Sequence, residues 1–424
     1  MKNRHISILA TLIVLMSTPV YAKTITLQEC LEQARQNNPA LKTAAWDTAI
    51  AREGVRQASS ALFPRADAQA GYTMQQAAQA VKINGIKAET QEPDYAFGGL
   101  SASYTIYDFG RRDSRIARAR SLADSTSMFY DARRSDVYMQ VIEAYFGILE
   151  AGKLIEAAKD EVTQVEEHLR TAQALFEEGV VTRNDVLQAE VRLAAARQNL
   201  LVTQNRRENI WLQMNFLTGA DPATRGELEE NASMTDNMDN RIGTDSAIAR
   251  RSEILALQKS VEAGEANLKE SRSNFYPELY TRLALDYVQN DKVNEQTIMS
   301  ATVGLKVNLF DGFASTSGRK AAVQALSRDQ DALRQKESQV RLEIATARND
   351  MQVAKDRIAV TEAAIKQGEE NQRINRERYQ ERVGTATEVL DAQTLLTQTR
   401  TDHYRALFDY QVAAARLKRA VGEL

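Results

Sequence analysis

The chain is written twice. Phe176-Glu-Glu-Gly-Val-Val-Thr-Arg-Asn-Asp185-Val-Leu-Gln-Ala189 aligns with Tyr379-Gln-Glu-Arg-Val-Gly-Thr-Ala-Thr-Glu388-Val-Leu-Asp-Ala392 at an offset of 203 residues. The same offset carries Tyr107-Asp108 onto Phe310-Asp311. Further upstream, Phe63-Pro64 meets Tyr276-Pro277 at an offset of 213, so the first copy holds ten more residues, which fall in a loop between its paired strands. A duplicated unit with no low-complexity linker predicts one intertwined body rather than a string of separate domains. With only 6 Pro in 424 residues and 6% aromatics, the composition suits long Ala-rich helices better than a sandwich or a large α/β enzyme core. The net charge of -3, with both signs interspersed, leaves no nucleic-acid-binding footprint.

Lys2 and Arg4 precede an apolar run from Ile6 to Met16, and Val20-Tyr21-Ala22 ends in the small residue that signal peptidase needs. Residues 1–22 are therefore expected to be an export signal cleaved after Ala22. The run is too short to span a bilayer as a helix, and no later segment reaches about 18 apolar residues. Cys30 is the only cysteine, so no intrachain disulfide can form. Leu27-Gln28-Glu29 lacks the small residues that precede a lipidated cysteine.

Four segments alternate with period two. Ala66, Ala68, Ala70, Tyr72 and Met74 alternate with Asp67, Gln69, Gly71, Thr73 and Gln75; Leu100, Ala102, Tyr104 and Ile106 alternate with Ser101, Ser103 and Thr105. In the second copy Leu279, Leu283, Leu285 and Tyr287 oppose Arg282 and Asp286, and Val303, Leu305, Val307 and Leu309 oppose Thr302, Gly304, Lys306 and Asn308. Strands are expected at about 65–75, 99–109, 278–288 and 298–310. Their length and alternation suit tilted strands of a transmembrane barrel, although a half-buried sheet of a soluble domain alternates in the same way. Two features favour the membrane. Phe63, Tyr107, Phe275, Tyr276 and Phe310 cluster where an interfacial aromatic belt would lie, and the export signal makes an outer membrane accessible. Four strands cannot close a barrel, so the chain must oligomerise; three copies would supply twelve strands. Inside, Asp67, Arg282, Asp286 and Lys306 are of mixed sign, which predicts no strong charge filter there.

The helices carry a heptad. Val141, Ile148, Ile155, Val162, Leu169 and Phe176 recur every seven residues, with Ala144, Ala151, Ala158, Val165 and Ala172 three places on. Ile344, Met351, Ile358 and Ile365 repeat the seam, with Ala347 and Ala354. A large/small seam of this kind lets helices approach closely and supercoil left-handedly. The expected plan is a first repeat at 23–217 with long helices at about 111–178 and 184–217, an irregular inter-repeat equatorial segment at 218–247, and a second repeat at 248–424 with long helices at about 313–381 and 386–420. Shorter helices at about 40–62 and 248–274 lead into the strands. At 1.5 Å per residue each longest helix would reach roughly 100 Å.

Asn38-Pro39-Ala40-Leu41, the Phe63-Pro64 and Tyr276-Pro277 pairs, Tyr107-Asp-Phe-Gly110, Phe310-Asp-Gly312 and the two Val-Leu-x-Ala hairpin motifs after Gly179 and Arg382 stand in a shared order and spacing. In this the chain resembles the TolC-type outer-membrane efflux and secretion channels over essentially its whole mature length. The resemblance implies an α+β membrane protein: a homotrimer whose twelve strands form one β-barrel in outer-membrane lipid of a Gram-negative cell, continued by a long periplasmic α-helical barrel. It also implies a tip closed at rest, opened when a periplasmic adaptor (membrane fusion) protein and an inner-membrane pump or ABC exporter dock. Such a chain would be the passive exit duct of a tripartite exporter for small-molecule efflux or type I protein secretion. The competing reading is a soluble periplasmic coiled-coil scaffold. One departure stands out: Arg382 occupies the position of Gly179, and Gly384 follows two residues later, which puts the second tip turn in question.

No Gly-x-Ser-x-Gly, phosphate-binding loop or H-E-x-x-H motif occurs, so neither an enzyme, a cofactor nor a metal is expected. The candidate gate is made of Glu388 and Asp391, which at i, i+3 share one helix face. Threefold symmetry would gather six carboxylates, and in the resembling family Asp residues at matching positions form the narrowest constriction. Thr385-x-x-Glu388 and Thr182-x-x-Asp185 also fit helix-capping patterns, which gives Glu388 and Asp185 an alternative structural role. The candidate adaptor-docking tips are Gly179, Arg183, Arg382 and Gly384.

Overall fold

The computed structural model describes residues 24–234 and 243–424; the expected leader and part of the inter-repeat segment lie outside them. The first copy runs α1 (Leu27–Asn37), α2 (Pro39–Ser59), β1 (Arg65–Met74), β2 (Ala80–Ile83), β3 (Ile86–Glu89), β4 (Asp94–Tyr107), α3 (Arg111–Glu177) and α4 (Arg183–Thr218). The second runs α5 (Thr244–Arg250), α6 (Ser252–Ser273), β5 (Glu278–Val288), β6 (Thr297–Lys306), α7 (Ala314–Gln380) and α8 (Ala386–Val421). The duplication is retained in length: α3 and α7 have 67 residues each, and α4 and α8 have 36 each. At 1.5 Å per residue the longer pair reaches about 100 Å.

The recurring motifs are the places where elements end. Asn38 caps α2, its Oδ1 accepting from the backbone N–H of Ala40 (2.9 Å) and Leu41 (3.2 Å), while Pro39 takes the first helical position, where no donor is needed. The same buried side chain donates through Nδ2 to the Leu217 carbonyl (2.9 Å) and so ties α2 to the end of α4. Asp108 accepts from Arg112 N and Nε (3.0 Å each), and Asp311, 203 residues on, accepts from Ser315 N (3.0 Å). Both strand-to-helix junctions turn through two consecutive left-handed residues, Phe109-Gly110 and Gly312-Phe313.

Four strands form one antiparallel sheet in the order β1-β4-β5-β6, so the two copies join edge to edge through β4 and β5. Ala66 pairs with Ala102, Ala102 with Leu283, and Leu283 with Ala301, which puts the apolar sets of all four strands on one face. That face is bare, with Leu100, Leu283, Val303 and Leu305 all exposed. Ser103, Arg282 and Thr302 align across the opposite, polar face.

Three expectations about the sheet need correction. The loop after β1 contains a hairpin, β2 paired with β3 around the left-handed Asn84-Gly85, a two-residue sequence suited to such a turn. Its base is tied to the β5–β6 loop by a Lys292–Glu89 ion pair and by Asn290 Nδ2 donating to the Thr90 carbonyl (2.9 Å). β4 starts at Asp94 rather than 99, because Met74 to Gly71 continue the ladder with Asp94 to Phe97. β6 stops at Lys306 rather than 310, since its partner β5 begins at Glu278, directly after a proline that cannot donate to a ladder.

The seam residues Ala144, Ala151, Ala158, Val165 and Ala172 are all buried, as are Ile344, Ala347 and Ala354. The large positions are buried at Val141, Ile148 and Ile155, but Phe176 at the tip is exposed. The main core lies far from the tip. Tyr145, Phe146, Trp211 and Met214 pack there with Cys30 and Ala34 of α1 and with Leu228 and Met234 of the irregular segment after α4. Tyr145 Oη donates to the Glu229 carbonyl (2.9 Å) and lies 3.1 Å from the Ile25 carbonyl, and Ile25 bridges Leu228 in parallel. On the other side, the helix expected at 248–274 is broken at Arg251 into α5 and α6. The Arg251 guanidinium is buried and donates to Glu253 (2.8 Å), Glu343 (3.1 Å) and the carbonyls of Arg419 and Ala420 (3.2 Å each).

Candidate functional site

At the tip remote from the strands, each long hairpin turns in the same way. Gly179 N donates to the Phe176 carbonyl (2.9 Å) and Val180 N to Leu175 (2.8 Å); Arg382 N donates to Tyr379 (3.1 Å) and Val383 N to Arg378 (2.9 Å). These paired bonds define a helix end closed by a left-handed residue. Gly179 supplies that residue with φ +75°, and Arg382 adopts it with φ 63° despite its side chain. The turn geometry therefore survives the Gly-to-Arg difference. Gly384 serves space instead: a Cβ there would lie 3.1 Å from Arg378 Cβ and 3.2 Å from Tyr379 N.

The three candidate carboxylates are not equivalent. Glu388 Oε2 accepts from Thr385 N (2.9 Å), and Thr385 Oγ1 accepts from Glu388 N (3.2 Å), a reciprocal cap on α8. Its other oxygen faces Arg378 Nη1 at 3.8 Å. Asp185 Oδ2 accepts from Thr182 N and Oγ1, both at 2.8 Å. Asp391 is exposed, and among the described residues no ion pair or side-chain hydrogen bond engages it. Ala386, Val389, Leu390, Gln393 and Leu396 are buried, which leaves Asp391 and Glu388 on the free side of α8 with Leu395 and Gln398. Arg183 is exposed at the first turn of α4.

The two hairpins are cross-linked just behind the tip, Arg382 apart, by residues outside the candidate gate and docking sets. Gln164 of α3 accepts from Gln372 of α7 (2.9 Å) and Gln393 of α8 (3.1 Å). Arg192 of α4 donates to Thr394 of α8 (2.6 Å) and to Glu161 (2.9 Å). Thr387 Oγ1 donates to Gln188 (3.4 Å), and Arg376 and Arg382 face Glu167 and Glu178 at 3.6 and 4.0 Å. Nearer the end, Tyr379, Ala386 and Val389 pack with Leu175 and Val181. His168 is buried against Tyr379, and burial pushes its imidazole below the ordinary value while Asp185 acts in the opposite sense. Burial first, then Asp185, raises the Tyr379 phenol. No local sequence signal marks these residues: His168 and Gln164 lie off the heptad seam of α3, inside a continuous helix.

At the other end, Phe63, Tyr107, Phe275, Tyr276 and Phe310 are exposed where strands meet helices. Phe109 stacks on Tyr276 (5.2 Å) and meets Tyr107 edge-on (4.8 Å). Among the described residues no helix is long and apolar enough to cross a membrane.

A sheet whose apolar face is bare, fused to helical hairpins about 100 Å long with a polar tip, defines a transmembrane duct. Residues 30–220 and 244–423 match the model of the family described as outer membrane efflux protein. The chain belongs to that family: it is an outer-membrane exit duct with a periplasmic portion, not an enzyme and not a soluble scaffold. It is 24% identical over 421 residues to the outer membrane protein TolC of Vibrio cholerae, covering 96% of this chain and 93% of that protein. It is 22% identical over 402 residues to the alkaline protease secretion protein AprF of Pseudomonas aeruginosa, covering 92% and 83%. Among solved structures, the outer-membrane channel OprN superposes with a TM-score of 0.84 at 16% identity, covering 94% of this chain and 90% of that one. VceC of Vibrio cholerae gives 0.81 at 19% identity, covering 93% and 96%.

Proposed function

We propose that three copies of this chain close into a single duct that carries cargo from a periplasmic assembly through the outer membrane. The observation that carries the trimer is the sheet itself. β1 and β6 are its edges, and backbone groups cannot remain unpaired in lipid, so another copy must pair with them. Three copies give twelve strands with Leu100, Leu283 and Val303 toward lipid and Arg282, Asp286 and Lys306 toward water. Phe63, Tyr107, Phe275, Tyr276 and Phe310 then form the aromatic belt at the periplasmic interface.

In this reading the tip is the gate. Asp391, which has no local partner, supplies the charge that faces the axis, and Glu388 adds a second carboxylate partly committed to its cap. Asp185 is assigned to its cap alone. The grooves around Gly179, Arg183, Arg382 and Gly384 receive the helical hairpin of a periplasmic adaptor, which couples the duct to an inner-membrane pump or ABC exporter. Relatives include both TolC and a protease secretion protein, and a duct of this form serves either use; the pump sets the cargo. The test is single-channel conductance of the mature protein in a planar bilayer under a salt gradient. Cation-preferring pores whose selectivity falls in the E388A/D391A double mutant are expected; unchanged selectivity in that mutant removes the gate assignment.

A further inference from the structure

We propose that the foot of the sheet's polar face binds small multivalent anions, phosphorylated or polycarboxylate compounds, through Lys306, Arg111 and Arg115, where the strands give way to the helices. This rests on that face turning toward water inside a trimeric duct. The register places Glu278 opposite Lys306, Tyr280 opposite Thr105 and Gly304, and Arg282 opposite Ser103 and Thr302, all on one side of the sheet. A hollow of about 910 Å³ opens at this foot, bounded also by the segment between α2 and β1 and by the first turns of α3. Five cations line it, Arg65, Arg111, Arg112, Arg115 and Lys306, against two carboxylates, Asp108 and Glu278. The strands by themselves carry both signs, with Asp67 and Asp286 beside Arg282 and Lys306; α3 tips the balance. Asp67 pairs with Arg65 (3.0 Å), and Glu270 of α6 is shared by Arg115 (2.8 Å) and Arg118 (3.3 Å). Counting the hollow and these ion-pair partners, six cations meet four acids, an excess of two positive charges in each chain. Arg282, in the next row, adds a third.

The lining groups divide into those already committed and those with donors to offer. Asp108 accepts from Arg112 Nε (3.0 Å), and the other nitrogens of that guanidinium donate to the carbonyls of Ala61 (3.2 Å) and Ile106 (3.4 Å), so Arg112 holds the junction itself. Glu278 accepts from Thr105 Oγ1 (2.7 Å) and from Arg111. Arg111 and Arg115 each bond a carboxylate through a single nitrogen, which leaves guanidinium N–H groups for a ligand. Lys306 is exposed and has no hydrogen bond or ion pair among the described residues. Donors of this kind make their strongest hydrogen bonds to phosphate and carboxylate oxygens, and a hollow open to water imposes little desolvation on an entering anion.

The duplication provides an internal control on what the junction requires. The offset of 203 residues carries Arg111, Arg112, Arg115 and Arg118 onto Ala314, Ser315, Gly318 and Ala321. Both junctions nonetheless turn through a pair of left-handed residues, and Asp311 caps its helix on Ser315 N as Asp108 does on Arg112 N, at 3.0 Å in each case. The turn and the helix start therefore form without arginine, so Arg111 and Arg115 are not what the backbone demands. What they change is the charge of the wall. The duct then carries opposite signs at its two ends, carboxylates at the tip and a cationic ring where the helices meet the barrel.

The experiment records single-channel current through the reconstituted trimer with inorganic tripolyphosphate added on both sides. Concentration-dependent block is expected at about 0.1 M KCl, and block about tenfold weaker at about 1 M, where the screening length falls to about 3 Å. K306Q/R115Q removes two of the holding groups and leaves Arg118 on Glu270. Each exposed charge contact contributes up to about fivefold, so block should weaken about tenfold in that variant. K306Q alone, at an exposed and unpaired position, should weaken it about threefold, a readout that survives if the double variant fails to assemble. R319Q/K320Q removes two exposed cations from the start of α7, outside the hollow, and should change block less than about twofold. No block of the wild type, undiminished block in K306Q, or an equal loss in R319Q/K320Q overturns the site. The duct reading is tested separately by Lys306→Cys with a negatively charged thiol reagent, since the native Cys30 is buried. Altered conductance is expected there; if conductance stays unchanged after verified labelling, this face does not line the lumen and it is the duct reading that fails.

Discussion

The second tip turn offers a direct test of backbone energetics, because Arg382 performs a task that Gly179 performs in the first copy. Holding a residue with a Cβ in the left-handed region costs about 1–2 kcal/mol. Replacing Arg382 with Gly removes that cost but returns about 0.5–1 kcal/mol through the greater freedom of glycine in the opened chain. The lost contact with Glu178 is long, at 4.0 Å, with both side chains about two-thirds exposed, so it contributes close to nothing. The balance favours glycine by about 0.5–1 kcal/mol, which slows local opening about two- to fivefold. The assay is amide hydrogen exchange at Val383 and Gly384, whose N–H groups bond to the Arg378 carbonyl at 2.9 and 3.0 Å. The reciprocal variant G179R should speed exchange at Val180, bonded to Leu175 at 2.8 Å. Faster exchange at Val383 in R382G would refute the reasoning, since it would mean that the Arg side chain holds the turn through contacts stronger than its backbone strain.

Replacing Asn38 with Ala removes a helix cap, about 1 kcal/mol, and orphans the buried Leu217 carbonyl, about 1–3 kcal/mol, so the trimer should dissociate at a lower temperature on semi-native gels. Among the tip carboxylates, D391N alone should reduce cation preference more than E388Q alone, because Glu388 is already bound to Thr385 N; conductance in a salt gradient decides between them. On the sheet, L283R places a charge on the lipid side at a cost of about 2–4 kcal/mol and should block outer-membrane insertion, whereas R282L on the polar face should insert; membrane fractionation with a trypsin-protection assay distinguishes them.

Local chemistry was readable without coordinates wherever it depends on neighbours a few residues apart. The period-two alternation of Leu100 to Ile106 and of Val303 to Leu309 fixes which side chains share a face. The heptad from Val141 to Phe176 fixes a long helix, and Asn38-Pro39, Tyr107-Asp108 and Phe310-Asp311 mark element ends through caps formed within four residues. Strand limits were less legible, because β4 begins where β1 and β5 offer partners and β6 ends where β5 does. Capping patterns at Thr182 and Thr385 were visible and already set Glu388 and Asp185 apart from Asp391; the structure adds the bonds that hold the first two.

What tertiary structure alone decided lies between distant segments. The pairing of β4 with β5 joins the copies through residues such as Ala102 and Leu283. Packing of one hairpin on the other brings His168 to Tyr379, and Gln164 to Gln372 and Gln393, across 208 to 229 residues of chain. Periodicity says that a helix has a buried face; it does not say which helix covers it or at what rotation. That depends on how the two hairpins settle against one another, and so on the summed packing of the Ala seam rather than on any one residue. His168 is an ordinary helical position off the heptad seam until α7 places a tyrosine beside it and leaves a cavity between them.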